Sequence, residues 1–313
     1  MKACVDVGGT KVAVSLSRES PVRGGDLQLL ARQSEPTATT GSNDALALQV
    51  VRLIGLACAD AGLQEADLSA VGVSSCGPFV LNDGLVELAA PNICGGLAGP
   101  GRGLPNDWKT ALLEAPLRQR YAKVKVANDC VAALEAERRW GALQGLDHCA
   151  YVTWSTGIGM GVCVDGRVLL GKNGNAGHGG HMFVSDDVSG ALCGCGNIGD
   201  VEALVAGNAM LRRFGRDAAA LMGAAQTGDT EAVLIVDELC RVLGRSLYNL
   251  VITLDLQRVS LGGSVFWHHR DYLLPRLKAQ LDGHLPALTQ GVDLVPAGLG
   301  MQVGDYAALA LVA

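Results

Sequence analysis

The sequence has no apolar run that approaches the roughly 18 residues of a membrane-spanning helix. It has no excess of basic residues either, because 25 lysines and arginines stand against 31 aspartates and glutamates, a formal net charge of −6. That balance argues against a nucleic-acid surface. Asp6 stands where a secretory signal would carry its apolar stretch. We therefore expect a cytoplasmic protein that binds neither membranes nor nucleic acid.

Closely spaced cysteines are also scarce. The ten cysteines of the 313-residue chain are mostly single and lie in apolar stretches, which is typical of reduced, buried thiols. Cys193 and Cys195 are the exception. Hydrophobic residues make up 49% of the chain and charged residues 18%, so global disorder is excluded. The length suffices for about two domains.

Hydrophobic periodicity predicts an α/β protein. The predicted strands are 3–7, 12–17, 27–32, 70–74, 124–127, 149–154, 160–164, 168–170 and 258–261. The predicted helices are 44–61 (capped by Ser42 or Asn43), 129–140, one that begins near residue 201, 231–254 and 304–313. Residues 75–107 and 171–199 are rich in turn-forming residues and are expected to form long loops.

A weak internal repeat links the two halves of the chain. Residues 5–14 and 152–162 both have the pattern of a strand, a Gly/Thr turn and a second strand. A duplicated α/β domain with a cleft between its halves explains this repeat. The boundary between the halves is expected between residues 120 and 145.

The two glycine turns of this repeat, Gly8-Gly9-Thr10 and Ser155-Thr156-Gly157, are candidate phosphate sites. Glycine allows backbone N–H groups to approach a ligand closely, and threonine adds a hydroxyl donor. Neither turn matches the P-loop or the dinucleotide fingerprint, and each alone also fits an ordinary hairpin turn. Asp6 favours the phosphate interpretation, because a carboxylate beside such a turn is suited to holding hydrated Mg²⁺.

A second candidate site is the pair Asn128-Asp129, which follows a predicted strand and begins a predicted helix. A carboxylate at this point can act as a general base for a substrate hydroxyl. The alternative is that Asn128 or Asp129 only caps the helix, since both residue types are common N-caps.

A third candidate is a cluster of metal-ligating residue types between residues 178 and 202. A Cys-x-Cys pair with nearby histidines and carboxylates fits tetrahedral Zn²⁺, although the spacing is not that of a common zinc finger. The alternative is a glycine-rich turn with two incidental thiols, and Glu202 can simply complement a helix dipole. The cluster consists of His178, His181, Cys193, Cys195, Asp200 and Glu202.

Taken in order from residue 2 to the C-terminus, these motifs resemble the ROK family (repressor, open reading frame, kinase) of sugar kinases in the actin-like ATPase superfamily. Each motif alone is modest, but seven in the right order are specific. They are Asp6 to Lys11, Gly77-Pro78 with Ala90-Pro91-Asn92, Asn128-Asp129, Ser155 to Gly161, Ala176 to His181, Cys193 to Glu202, and Leu261-Gly262-Gly263.

The resemblance implies a two-domain α/β protein with the actin-like ATPase (ribonuclease H-like) fold and an interdomain cleft. The small domain would span residues 1–120, with the helix of residues 300–313 packed back onto it. The large domain would span residues 121–299. The apolar C-terminal helix and the resemblance together suggest a homodimer.

The resemblance also implies residue roles in ATP-dependent phosphorylation of a free sugar. Asp129 would be the catalytic base, and Asp6 would organise Mg²⁺. Phosphates and adenosine would be held by Gly8, Gly9, Thr10, Lys11, Thr156, Gly157, Gly262 and Gly263. Sugar hydroxyls would be bound by Asn128, His178, His181 and Glu202, with Gly77 and Asn92 as weaker candidates. A structural zinc would be bound by His181, Cys193, Cys195 and Asp200.

Two positions depart from the family pattern. His178 stands where the family usually has a sugar-binding glutamate, and imidazole donates as well as accepts but reaches less far. Asp200 stands where the third zinc cysteine is expected, and a carboxylate is a harder donor than a thiolate. The zinc site is therefore completed by Asp200, or weaker and completed by water, or lost.

Three functions compete at this point. The first is a hexose kinase, with glucose as the first guess and fructose, mannose, N-acetylglucosamine and N-acetylmannosamine as alternatives. The second is a sugar-binding ROK protein without catalysis, which the departures at His178 and Asp200 motivate. The third is a sugar-responsive repressor, which we do not expect because Asp6 lies too near the start to leave room for a helix-turn-helix domain.

Overall fold

The structure is a computed structural model that describes residues 1–18, 27–98, 103–186, 190–282 and 284–313. Small parts of the two predicted loops, 99–102 and 187–189, lie outside the described residues. The chain forms two compact units. The first comprises Met1–Trp140, Leu170–Ala176 and Gln302–Ala313, and the second comprises Gly141–Leu169 and Gly177–Met301.

The first unit is built on a five-stranded sheet with the order β3-β2-β1-β4-β8. It also contains a three-stranded sheet with the order β5-β6-β7. Strands β1 to β3 are antiparallel, whereas β4 and β8 run parallel to β1. The strands are β1 (Lys2–Val7), β2 (Lys11–Ser17), β3 (Leu29–Pro36), β4 (Ala70–Ser75), β5 (Phe79–Asn82), β6 (Leu85–Leu88), β7 (Ala111–Leu112) and β8 (Val124–Asn128).

Strand β1 is the central strand of this unit, and its sequence explains that position. Ala3, Val5 and Val7 alternate onto one face and are fully buried in the core, as the two-residue repeat of a strand requires. Cys4 points to the other face and is buried as well. The first unit also contains the helices α1 (Ala45–Asp60), α2 (Glu114–Arg120) and α3 (Asp129–Trp140).

The second unit repeats this topology around the sheet β11-β10-β9-β12-β13. Its first three strands are antiparallel, and β12 and β13 run parallel to β9, so the repeat predicted from residues 5–14 and 152–162 corresponds to β1-β2 and β9-β10. The strands are β9 (Cys149–Trp154), β10 (Ile158–Val164), β11 (Arg167–Val168), β12 (Arg258–Gly262) and β13 (Asp293–Pro296).

Helix α7 forms much of the second core. Its N-cap Asp229 accepts a hydrogen bond from the backbone of Ala232, and a stripe from Val236 to Val251 is buried, as the amphipathic pattern predicts. The helices of the second unit are α4 (Val201–Val205), α5 (Gly207–Phe214), α6 (Ala218–Gln226), α7 (Thr230–Leu254), α8 (Ser264–His268), α9 (Arg270–Asp282) and α10 (Pro286–Thr289). No described helix is both long and apolar enough to cross a membrane.

The chain ends in the first unit. Helix α11 (Val303–Ala310) packs on β1 and α3, and Leu309 is fully buried against Cys4. The first unit also includes residues 121–140, which the predicted boundary at residue 120 assigned to the second. The reason is that β8 pairs with β4 and extends the first sheet, and α3 follows β8 directly.

Two local predictions differ from the structure. Residues 75–107 were expected to form a loop, but they contain the hairpin of β5 and β6, which is too short to show a clear alternating pattern. Helix α1 begins after Asp44, whose side chain makes no capping bond. The predicted cap was Ser42 or Asn43, but the N-cap position is occupied by Asp44, and the Ser42 hydroxyl donates to the Asp44 carboxylate at 2.5 Å.

Candidate functional site

The candidate residues of the first unit meet at one edge of its sheet. The register of the parallel strands aligns Val7 with Ser75 and Ser75 with Asn128. Asp6 therefore lies at the carboxyl end of β1, and Asp129 follows the carboxyl end of β8. Ligands of open α/β sheets usually bind at the carboxyl ends of their strands.

This edge has a negative electrostatic potential. Partial loss of hydration and the nearby Asp129 carboxylate raise the pKa of Asp6 to about 6, and Lys11 offsets this in part. Because the Asp6 side chain is exposed, we attribute the raised pKa mainly to the like charge of Asp129. Burial, Asp129 and Asp6 likewise raise the pKa of the Cys76 thiol to about 12. A divalent cation beside Asp6 would relieve this repulsion.

Asn128 and Asp129 differ in exposure, although they are neighbours. Asn128 is buried, whereas Asp129 is exposed. The backbone N–H of Cys130 donates to Asp129 Oδ1 at 2.8 Å and to Asn128 Oδ1 at 3.0 Å. Both side chains thus contact the first turn of α3, and this contact orients Asp129 while its carboxylate remains accessible. The capping and catalytic interpretations of the pair are compatible.

The first glycine turn is held by its own backbone and by Thr37, the residue that follows β3. Gly8 N–H donates to the Lys11 carbonyl at 2.9 Å, and the Thr37 hydroxyl donates to the Gly8 carbonyl at 2.7 Å. The Asn92 carboxamide lies against Gly9, where any side chain would collide with it. Asn92, which is predicted to contact the sugar, therefore lies next to the first predicted phosphate turn.

Gly77 lies close to the same sheet edge. The N–H of the preceding Cys76 donates to the Val7 carbonyl at 2.9 Å, and the Gly77-Pro78 peptide bond is cis. Of the predicted residues of the first unit, those at this edge are Asp6, Gly8, Gly9, Thr10, Lys11, Gly77, Asn92, Asn128 and Asp129.

In the second unit, the second glycine turn and Gly262-Gly263 meet at the equivalent edge. Thr153 near the end of β9 pairs with Gly262 at the end of β12. Gly263 has a φ of +87°, and a Cβ there would meet Thr153 Oγ1 at 2.6 Å, so glycine is required. The turn after β9 contains Thr156, whose carbonyl accepts from the Asn208 N–H at 3.2 Å.

Glu202 links this turn to the predicted metal cluster. Its Oε2 accepts a hydrogen bond from the Ile158 N–H at 3.0 Å, and its Oε1 accepts from the Cys193 thiol at 3.4 Å. A Cβ on Gly157 would lie 2.6 Å from Glu202 Oε2, so the carboxylate fills the space that glycine leaves. The sequence alone did not indicate the contact to Ile158, because a backbone donor has no residue signature.

The four predicted metal ligands, His181, Cys193, Cys195 and Asp200, come together. Their ligand atoms all lie within 4.8 Å of one another. Asp200 Oδ2 is 3.1 Å from His181 Nδ1 and 3.5 Å from Cys195 Sγ, and Cys193 Sγ is 3.7 Å from His181 Nδ1. A tetrahedral zinc site with ordinary bond lengths separates its ligand atoms by roughly 3.3–3.8 Å. The two cysteines, the histidine and the carboxylate therefore fit zinc.

Asp200 has two roles in this cluster. Its Oδ2 faces the other ligands, while its Oδ1 accepts from the Ala203 N–H at 2.8 Å and caps α4. Asp200 is completely buried, and burial alone would raise its pKa. The hydrogen bonds from His181 and Ala203 outweigh burial and hold the pKa of Asp200 below its ordinary value, so the carboxylate is present as a charged ligand.

His178 lies beside this cluster but outside the set of four. It precedes the short 3-10 turn Gly179–His181 and is half-buried. Its ring stacks near that of His181, with the ring centroids 6.2 Å apart. Within the second unit, the structure thus gathers His178, His181, Cys193, Cys195, Asp200, Glu202 and Gly157.

Comparison with known proteins agrees with this architecture. A glucokinase of Aeropyrum pernix is 30% identical over an alignment of 331 positions, which covers 98% of this chain and 95% of the relative. An N-acetylmannosamine kinase of Salmonella newport is 31% identical over 272 residues, 83% of this chain and 82% of the relative. The crystal structure of a ROK family glucokinase from Streptomyces griseus, in complex with glucose and AMPPNP, matches with a TM-score of 0.69 at 26% identity and covers 98% of this chain and 97% of that one.

Two α/β units with the same sheet topology, together with this structural relative, define a protein of the actin-like ATPase fold. The profile of the ROK family matches residues 2–313. The chain therefore belongs to the ROK family.

Proposed function

We propose that this chain transfers the γ-phosphoryl group of MgATP to a hydroxyl of a free hexose, with glucose as the preferred sugar. Membership of the ROK family and two kinase relatives that cover most of the chain make it an ATP-dependent sugar kinase. The choice of sugar and the residue roles are the proposed part. The observation that carries the proposal is the pair of carboxylates, Asp6 and Asp129, at the edge that holds the first glycine turn.

Asp129 is the proposed general base. It removes the proton of the attacking sugar hydroxyl, and its exposed carboxylate and its contact to the first turn of α3 support this role. Phosphoryl transfer is mainly a matter of positioning and charge stabilisation. The sugar is oriented by hydrogen bonds to its other hydroxyls from Asn128, His178, His181 and Glu202, with Gly77 and Asn92 as further contacts.

The nucleotide is held by backbone groups in this proposal. Asp6 organises hydrated Mg²⁺, and Mg²⁺ when bound neutralises charge on the phosphates. Gly8, Gly9, Thr10 and Lys11 bind phosphate from one turn and Thr156 and Gly157 from the other. Gly262 and Gly263 contact the adenosine through their backbone. The pairing of Thr153 with Gly262, which brings the second turn and these two glycines to one sheet edge, supports this assignment.

Zinc is the second proposed metal. His181, Cys193, Cys195 and Asp200 would hold it, and the fit of their distances to a tetrahedron supports this. Zinc would join the segment of His181 to the segment before Glu202. Its contribution is structural, since the proposed proton transfer belongs to Asp129.

N-acetylmannosamine is the alternative sugar. The relative from Salmonella newport has this specificity in its name, and His178 replaces the family's usual glutamate. Imidazole has an N–H donor that a carboxylate lacks, and such a donor suits the carbonyl of an N-acetyl group. The same replacement also motivates a non-catalytic candidate, sugar binding without phosphorylation, against which the kinase assignment is to be tested.

A sugar panel tests the proposal. ATP-dependent phosphorylation is measured with Mg²⁺ on glucose, mannose, fructose, N-acetylglucosamine and N-acetylmannosamine. One clearly preferred hexose supports a kinase, and glucose as that hexose supports the full proposal. Binding of a sugar without turnover of any sugar supports the non-catalytic candidate instead. Light scattering on the same protein tests the proposed homodimer.

The base is tested separately by Asp129→Ala. We expect kcat to fall by about 10²–10⁴-fold, which is the usual contribution of a positioned base. The circular dichroism spectrum and the thermal midpoint should stay close to wild type because the side chain is exposed. A variant with nearly normal kcat would show that another group accepts the proton.

A further inference from the structure

Residues 170–176 form a short segment that the structure assigns to the first unit, whereas Leu169 and Gly177 on either side belong to the second. The segment closes on itself, since the Ala176 N–H donates to the Leu170 carbonyl at 3.0 Å. The Asn175 side chain links this segment to the backbone of Phe79, elsewhere in the first unit.

Asn175 binds the backbone of Phe79 in both directions. The Phe79 N–H donates to Asn175 Oδ1 at 2.7 Å, and Asn175 Nδ2 donates to the Phe79 carbonyl at 2.7 Å. This is the pair of bonds that a residue of a neighbouring antiparallel strand would make. Phe79 is a rigid partner, because its side chain is 2% exposed and lies in the first core.

Asn175 and Phe79 both lie close in the sequence to residues that are predicted to bind the sugar. Phe79 is the first residue of β5 and directly follows Gly77-Pro78. Asn175 precedes His178 by three residues, and the intervening Gly177 is fixed by the Met160 N–H, which donates to its carbonyl at 3.1 Å. The backbone is thus held at Asn175 and Gly177, immediately before His178.

We infer that Asn175 is a positioning residue for the sugar, which anchors the segment leading to His178 and His181 to the backbone after Gly77-Pro78. The inference rests on the proposed function for its effect on sugar binding. A carboxamide is required, because among side chains of this size only asparagine presents a donor and an acceptor in one plane. Without the anchor, the segment becomes ordered only when the sugar binds. The conformational entropy lost in that ordering weakens sugar binding.

The first experiment compares Asn175→Ala with Asn173→Ala, a matched change two residues earlier in the same segment. For Asn175→Ala we expect the KM and the Kd for the sugar to rise by about 5- to 50-fold, the contribution of two partly exposed hydrogen bonds. The value of kcat should change by less than about threefold, and the KM for ATP should stay constant. The Asn173→Ala variant should behave as wild type.

The second experiment uses Asn175→Asp and its pH dependence. The carboxylate still accepts from the Phe79 N–H, but its second oxygen faces the Phe79 carbonyl and the two acceptors repel. A protonated carboxyl donates to that carbonyl and restores the pair. The sugar Kd of Asn175→Asp, divided by the wild-type Kd at the same pH, should therefore fall as the pH is lowered from 8 to about 5. The ratio for Asn175→Ala should stay constant.

Hydrogen exchange of the peptide containing residues 176–181 separates this inference from the proposed function. Exchange should be faster in Asn175→Ala than in wild type or Asn173→Ala, whether or not a sugar is phosphorylated. An unchanged exchange rate overturns the inference. A lower thermal midpoint with an unchanged sugar Kd also overturns it, since the contact would then be only structural. A wild-type protein that binds and phosphorylates no sugar refutes the proposed function, and faster exchange would still support the anchor.

Discussion

At the scale of single residues, the like charges of Asp6 and Asp129 dominate the first candidate edge. A carboxyl group whose pKa is raised in the folded state destabilises that state once it ionises. The pKa of Asp6 rises from 3.8 to about 6. Its contribution therefore turns unfavourable as the pH rises from about 4 to about 6, and it stays so at higher pH. Ionised Asp6 therefore lowers the free energy of unfolding, and the same negative charge is available to the proposed Mg²⁺.

We predict that Asp6→Asn is more stable than wild type above pH 6 and equally stable below about pH 4. The rise in thermal midpoint at pH 8 should be modest, about 2–4 °C, because the side chain is exposed and solvent screens its charge. Thermal melts without Mg²⁺ or nucleotide at several pH values measure it. Asp107→Asn, at an exposed position in the same unit, should show no such dependence, and a lower midpoint of Asp6→Asn at pH 8 would contradict the prediction.

At the scale of elements, the turn between β9 and β10 and the start of α4 depend on each other. Glu202 on α4 accepts from Ile158 N–H and occupies the space beside Gly157. The sequence predicted both segments as candidate binding elements. It did not indicate that one side chain joins them, because the contact spans 44 residues and one partner is a backbone group.

Gly157→Ala tests this dependence. The new Cβ would displace the Glu202 carboxylate, and loss of a hydrogen bond to a charged group costs about 1.5–3 kcal/mol. We expect the KM for both sugar and ATP to rise by roughly 10-fold or more. Gly223→Ala is the control, since a Cβ there meets nothing within 4 Å. Steady-state kinetics with unchanged KM for both substrates would show that Glu202 does not support the turn.

The proposed zinc site is a second case in which one element depends on residues that are distant in the sequence. Its ligands are supplied by the 3-10 turn at His181, the Cys-x-Cys loop and the N-cap of α4. Elemental analysis should find about one zinc per chain in wild type and much less in Cys193→Ser. Chelation should lower the thermal midpoint, because bound metal stabilises only the folded state. A folded, active preparation free of metal would exclude the site.

At the scale of the whole molecule, the first unit is assembled from both ends of the chain. Helix α11 packs on β1 and α3, and Leu309 is fully buried beside Cys4. Part of the core of the first unit is therefore supplied by α11.

Leu309→Ala should destabilise the protein by about 2–5 kcal/mol, as is usual for a buried leucine in a tight core. Activity at low temperature should persist, since Leu309 lies in the core and outside the candidate site residues. Denaturant unfolding followed by circular dichroism measures the change. Leu234→Ala, at a position of α7 that is 67% exposed, is the control and should cost little. Equal stability of the two variants would show that α11 contributes little to the core.

The sequence by itself determined the local features: the strands with buried alternation, the amphipathic helix α7, the two glycine turns, and the candidate ligands between residues 178 and 202. These follow from short-range periodicity and residue chemistry, which need no partner in space. The tertiary structure alone decided that β8 extends the first sheet and that the Asp129 carboxylate raises the pKa of Asp6. It also decided that Asp200 both caps α4 and faces the cluster, and that Asn175 binds the backbone of Phe79. Each of these depends on strand register or on backbone groups that have no signature in the sequence, so only folding brings them together.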